Sequence, residues 1–216
     1  MKKFSHIDLL LNENAIPIIP GSILQRANGR SLHYTLLGNI FDMCKITPQS
    51  VITHGEPYNR VFYNANDTKF DLGATVGNLI FAEKARIRFT NKNNAVIVFN
   101  NGITSSLKYG LITNQLAVLW HQNRYVNNHR NIFIVSSVIN TNQAKVIYSM
   151  QNNTSITVSH VNNQPFNNLN DLINMNINIA NEARSVTCID INTNIPLLLD
   201  LIRFDRQNQA FMPFIP

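Results

Sequence analysis

The chain has 216 residues, of which 44% are hydrophobic and only 14% charged, with a formal net charge of +6. That apolar content supports a real core in one large or two small domains, while the lack of any apolar run of about 18 residues excludes a transmembrane helix. The cations form no run, which fits a local anionic ligand better than a nucleic-acid tract.

The N-terminus carries Lys2 and Lys3, but Asp8, Asn12 and Glu13 interrupt any apolar signal region, so a soluble, non-secreted protein is expected. Residues 7–19 are an apolar lead-in in which Pro17 and Pro20 exclude a continuous helix. Residues 22–26 suit a strand or a short helix, Asn28-Gly29 a hairpin-type turn, and 31–41 an alternating strand. Short strands are expected at 51–54 and 60–63. Gly73 and Gly77 predict a bend between two strands over 69–82.

Residues 85–90 alternate apolar and basic side chains, the pattern of a half-exposed strand. A polar turn then leads into the buried strand 95–99, and the pair reads as a hairpin. Residues 111–119 fit a strand or a short helix, 121–130 a loop, and 131–138 a buried strand. Residues 141–150 are expected as a helix capped by Asn140 or Thr141, with Ala144, Ile147 and Tyr148 on one side. Strands follow at 154–161 and, from the Ile/Met alternation with Asn, at 173–179. The last run reads as two strands around the polar turn 192–194, the second almost continuously apolar and therefore covered on both faces.

Asparagine supplies about one residue in six, the mark of an AT-rich coding sequence with Asn in surface positions, and it implies no chemistry. Cys44 and Cys188 sit among apolar neighbours and read as buried free thiols; no zinc-ligand spacing is present. His54 beside Gly55 resembles a protease histidine, but no Gly-x-Ser-Gly sequence accompanies it. Ser136-Ser137 falls inside a buried strand, a poor place for a nucleophile. His121 and His129 read as surface residues. Lys84, Arg86 and Arg88 form a small basic stripe that suits phosphate, a partner subunit, or a solvated edge strand.

Four stretches, in order, carry a family resemblance: Ile18-Ile-Pro-Gly; Phe70-Asp-Leu-Gly-Ala-Thr-Val with Asn101-Gly-Ile-Thr-Ser-Ser-Leu; Asn131-Ile-Phe-Ile-Val-Ser-Ser-Val; and Val186-Thr-Cys-Ile-Asp-Ile through Leu201-Ile-Arg-Phe to Met212-Pro-Phe-Ile-Pro. Together they span most of residues 16–216, and by them the chain resembles the poxins, 2′,3′-cGAMP nucleases of poxviruses, baculoviruses and some moths and butterflies. The resemblance implies a mostly β (α+β) fold: a chymotrypsin-like, viral-protease-type β-barrel over 1–135, then a C-terminal helix and antiparallel strands over 136–216, packed as one unit. It also implies a homodimer in the host cell cytoplasm that antagonises cGAS-STING immunity. No cofactor, no metal, no DNA or RNA polymer and no membrane are implied, and an AT-rich insect virus is the natural source.

In this family the ribose 2′-hydroxyl attacks the adjacent phosphate without a metal, which requires a base, a proton donor and a cation. The family supplies a His ahead of the Pro-Gly and a Tyr-x-x-x-Lys on a helix, where a spacing of four puts both on one face. Here those positions fall on Pro17, Asn142 and Val146. Asn142 has no titratable group and is left a ligand-binding role. A site rebuilt from neighbours would use His6, Lys145 and Tyr148 as the catalytic set. Arg203 matches the family's ligand-binding arginine, which can hold a phosphate bidentately; Leu201 stands where poxviral members have a second cation. Three readings follow: a nuclease with a rewired site, a lapsed homologue that binds nucleotide or protein, and an unrelated β-rich viral structural protein.

Overall fold

Period-two alternation runs through most of the chain, and strands are what it forms. The computed structural model describes residues 18–26, 34–63, 65–71, 75–76, 79–80, 84–92, 94–128, 130–160, 169–174, 177–180 and 185–214. In chain order these are β1 (Ser22–Arg26), β2 (Tyr34–Asn39), α1 (Ile40–Cys44), α2 (Pro48–Val51), β3 (Ile52–His54), β4 (Tyr58–Tyr63), β5 (Thr68–Asp71), β6 (Thr75–Val76), β7 (Leu79–Ile80) and β8 (Lys84–Phe89). They continue with β9 (Ala95–Leu107), α3 (Thr113–Gln122), β10 (Ile132–Thr141), β11 (Gln143–Ser149), β12 (Thr154–His160), β13 (Ile177–Ala180), β14 (Val186–Ile191), β15 (Ile195–Asp205) and β16 (Ala210–Pro213). The expectations placed on Asn28-Gly29, Gly73, Gly77 and His129 lie outside the described residues.

The fold is mostly β, with antiparallel sheets and few helices, as expected. The sheets have open ends among the described residues, so no closed barrel is present. The chain forms two units that interleave along the sequence: 58–102 with 141–194, and 18–57 with 103–140 and 195–214. The sequence reading divides the chain once instead, between 135 and 136.

The first unit is a sandwich. One layer has the order β4-β9-β11-β14 and the other β5-β8-β12-β13. Between them lie Ala85, Ile87 and Phe89 of β8, Val96 and Val98 of β9, Ile147, Ile156, Val158 and Val186. The expected hairpin of 85–90 with 95–99 is therefore not formed: β8 pairs with β5 and β12, and β9 with β4 and β11. The two patterns explain this. β8 alternates exposed cations with buried apolar residues, whereas Val96–Phe99 are fully buried on both faces. Side by side in one sheet, Arg86 or Arg88 would lie next to buried β9 side chains; facing each other across a core, both strands keep their patterns.

The chain makes the same crossing from β11 to β12, and the two crossings are tied together. Ser149 N–H donates to Asn94 O (2.8 Å), Asn153 N–H to Thr90 O (3.1 Å), and Lys92 N–H to Asn152 Oδ1 (2.7 Å). The buried hydroxyls of Ser149 and Thr154 pair at 2.9 Å.

β9 passes from the first unit to the second beyond a left-handed Asn101 (φ 52°), whose N–H is held by Asn59 Oδ1 (2.8 Å). Asn tolerates that conformation better than most residues. Gly102 follows, and the Phe99 ring occupies the space where its Cβ would be. That ring also packs edge-on against Tyr58 (5.4 Å) and stacks on Phe62 (5.6 Å).

In the second unit β10 pairs with β1, with the end of β9 and with β15, and β3 pairs with the other edge of β9. Ile23 of β1 with Ile132 and Ile134 of β10 joins one core, which also holds Phe41, Leu116, Trp120, Phe204 and Phe211. Leu24, Phe133 and Val135 join another with Ile18, Val138 and Leu201. Residues 132–135 are thus covered on both faces, as their continuous apolar run predicts. The strand expected through Phe41 ends at Asn39, whose Oδ1 accepts the Asp42 N–H (2.9 Å) and caps α1. Residues 111–119, open between strand and helix in the sequence, fall largely in α3. The two strands around 192–194 exist but do not pair with one another: β14 pairs with β11, and β15 with β10 and β16.

Candidate functional site

The segment expected to carry the site, 141–150, is not a helix. Gln143–Ser149 is strand β11. Val146, Ile147 and Tyr148 favour extended backbone, and Thr141 serves the turn before the strand rather than capping a helix. Its Oγ1 lies 2.7 Å from Asn100 O and accepts the Gln143 N–H at 3.1 Å. Asn142 is exposed in that turn.

The change of element type separates the expected residues. In a strand, side chains three positions apart leave opposite faces. Lys145 and Ile147 share one face of β11, and Ile147 belongs to the sandwich core; Tyr148 is half-buried on the other face. Lys145 sits directly across from Asp190 of β14, and its Nζ donates to Asp190 Oδ1. The pair is asymmetric: the lysine side chain is 11% exposed and the aspartate 59%. The ammonium is thus already matched by a carboxylate. Across from Ile147 stands Cys188, whose thiol is pushed up by burial, pulled down by the Lys145 charge and raised again by Asp190.

Arg203 belongs to the second unit. It is exposed on β15, with its guanidinium over the Phe214 ring at 5.4 Å. His6 lies outside the described residues. Cys44 and Cys188 are free, but neither is buried as expected: Cys44 is half-buried and Cys188 exposed. Burial nevertheless pushes the Cys44 thiol up. Ser136 and Ser137 bind β15 rather than substrate: Ser136 Oγ donates to Asp200 O (3.1 Å) and Ser137 Oγ to Asp200 Oδ2 (2.8 Å). His121 Nε2 lies 3.3 Å from Gln209 Oε1, and its ring meets Phe204 edge-on.

One pairing has no local signal in the sequence. His54 Nδ1 lies 2.8 Å from Ser105 Oγ, across the β3–β9 ladder and 51 positions away. A base within reach of a hydroxyl is the start of a nucleophile. Two things keep it from being one: Ser105 is 6% exposed, and the Gly55 N–H beside it is committed to Thr104 O (2.8 Å) rather than open to an oxyanion.

The second unit also holds an apolar hollow of about 360 Å³, lined by Met43, Cys44, Asn114, Gln115, Val118 and Leu119. It offers no charged side chain to a phosphate. Among the described residues no three of His, Cys, Asp and Glu gather as metal ligands, and no helix is long and apolar enough to cross a membrane.

No family model matches the chain, and no curated protein does either. Among solved structures it is similar to a bacterial gasdermin from Bradyrhizobium tropiciagri, at 10% identity and a TM-score of 0.33, over 96% of this chain and 85% of that one. A likeness at that score carries no argument about fold or function.

Proposed function

We propose that this chain is a lapsed poxin-type protein that binds a cyclic dinucleotide of the 2′,3′-cGAMP kind without cleaving it. The observation that carries the lapsed reading is the pairing of Lys145 with Asp190, with Tyr148 on the opposite face of β11. General acid–base chemistry needs its acid, base and cation within hydrogen-bond reach of one phosphodiester. A cation held by a carboxylate on one face and a phenol on the other do not meet that requirement. The ligand side of the reading rests on the sequence resemblance and on exposed Arg203, which is free of any ion pair within salt-bridge distance among the described residues. The homodimer and the cytoplasmic, STING-antagonising role belong to the same reading.

The test is incubation of the protein with 2′,3′-cGAMP in EDTA, with chromatography of the nucleotides, followed by calorimetric titration. We expect intact dinucleotide and a saturable heat that Arg203→Ala removes. Turnover to a linear product would overturn the lapsed reading in favour of a metal-independent nuclease. No turnover and no heat would remove the cyclic dinucleotide as ligand.

A further inference from the structure

The outer face of the β5-β8-β12-β13 sheet sets a further cation, from β5, beside the basic residues of β8. Ile87 and Phe89 of β8 point into the sandwich core, so Arg86 and Arg88 point out, and both are exposed. β8 is not an edge strand; it lies between β5 and β12, so its charges are not there to protect an edge. On β5, Lys69 is exposed directly beside Arg88. On β12, Ser155 pairs with Arg88, Thr157 with Arg86 and Ser159 with Lys84. The Arg86 and Arg88 rungs therefore each set a cation beside a hydroxyl. Arg86 binds across the ladder, its Nε and Nη2 donating to Ser155 Oγ at 3.1 and 2.8 Å. The one described carboxylate on this face is Asp71, paired with Arg88 Nε at 2.5 Å.

From this face we infer a sequence-independent binding surface for the phosphodiester backbone of a nucleic acid. Cations that repeat every second residue stand about 6.8 Å apart along a strand, a regular line that suits a regular line of phosphates. Arg, Lys, Ser and Thr are the side chains that hold phosphate oxygens. Two cation–hydroxyl rungs with Lys69 beside them set three exposed cations on one face. The outward positions of β5, β8 and β12 carry no aromatic side chain on which a base could stack, so the contact reads backbone and not sequence. They carry no large apolar side chain to enter a lipid surface either. The sequence sets a nucleic-acid polymer aside because its cations form no run; the sheet supplies the adjacency. This inference is independent of the cyclic-dinucleotide reading.

The test is fluorescence anisotropy of the full chain with a labelled oligothymidylate and with a labelled duplex, at rising salt. With about three phosphates neutralised, the logarithm of the single-strand association constant should fall against that of salt with a slope of about −2. Arg86→Ala should make that slope shallower by about 0.7 and weaken binding to all sequences alike. Asp71→Asn should tighten binding about threefold, a gain that damage to the fold would not produce. Lys108→Ala removes a charge of the same sign from the second unit and should change nothing. Binding that Arg86→Ala and Asp71→Asn leave unmoved would overturn the inference. So would no binding to either oligonucleotide at low salt, or binding only to vesicles containing phosphatidylserine.

Discussion

At the scale of single residues, Lys145 shows how the element around a side chain decides its use. On a helix it would share a face with positions three and four away; on β11 it faces Asp190 across the ladder and the sandwich core below. Removing the exposed partner should hurt more than removing the buried one. Asp190→Asn leaves an ammonium that is 11% exposed with no carboxylate, and is expected to cost about 1–3 kcal/mol in urea unfolding. Lys145→Met fills the same space with an apolar chain, and should fall within about 1 kcal/mol of the parent. Cys188 reports on the pair independently. Burial holds its thiol up, Lys145 lowers it and Asp190 raises it, so Asp190→Asn should make the thiol more acidic. In a Cys44→Ala background, iodoacetamide should then alkylate Cys188 faster in Asp190→Asn than in the parent. A slower reaction would contradict the assigned influence of the two charges.

At the scale of elements, most strands other than β11 were legible in the sequence and their partners were not. The alternation of β8 and β12 and the apolar run of β10 mark strands because burial has a period of two on a pleated ribbon. Nothing in that period names the neighbour. The turn at 90–94 reads as a hairpin from its polar residues alone, and only the contrast between a one-sided β8 and a two-sided β9 tells that the chain changes layer there. The site was less legible for the same reason. Lys145–Asp190, His54–Ser105 and Arg86–Ser155 each join residues more than 40 positions apart, so no local spacing announces them. The helix expected over 141–150 failed because Val146, Ile147 and Tyr148 were outweighed by an apparent cap at Thr141.

The β15–β16 hairpin gives an element-scale prediction. At its turn Asp205 accepts the Gln207 N–H (2.9 Å) and the Asn208 Nδ2–H (2.7 Å), and these bonds, the backbone one foremost, hold its carboxyl below the usual range. A carboxyl depressed in the folded state stabilises above its unfolded pKa of about 3.9, and loses that contribution as pH falls through the folded value. Asp205→Asn should therefore melt below the parent at neutral pH and converge with it in acid. A gap in melting temperature that stays constant with pH would remove the carboxylate as the cause.

At the scale of the whole molecule, the interleaving of the two units decides what can be cut away. A chain divided between 135 and 136 would leave β9 in one piece and β11 and β14 in the other, with β10 severed. The sandwich core draws on residues 85–98 and 147–186, one group from each piece. Neither fragment holds a complete core, so neither should fold alone. Circular dichroism and amide dispersion of 1–135 and 136–216 check this: cooperative melting of either would show that the cores are not shared as described. A fragment approach to the cyclic-dinucleotide or nucleic-acid question would for this reason mislead, and both assays need the full chain.

β9 also sets a clock during synthesis. Its residues 96–99 are apolar on both faces, and one edge of that stretch belongs to β11. When Phe99 is made, β11 is still about 50 residues away, and at ribosomal speeds of about 5–20 residues per second that is a wait of roughly 3–10 s. During that interval a sticky, half-paired strand edge has no intended neighbour. Holdase binding at the nascent chain, or losses to inclusion bodies when expression is driven hard, would trace back to this one strand and the lateness of its partner.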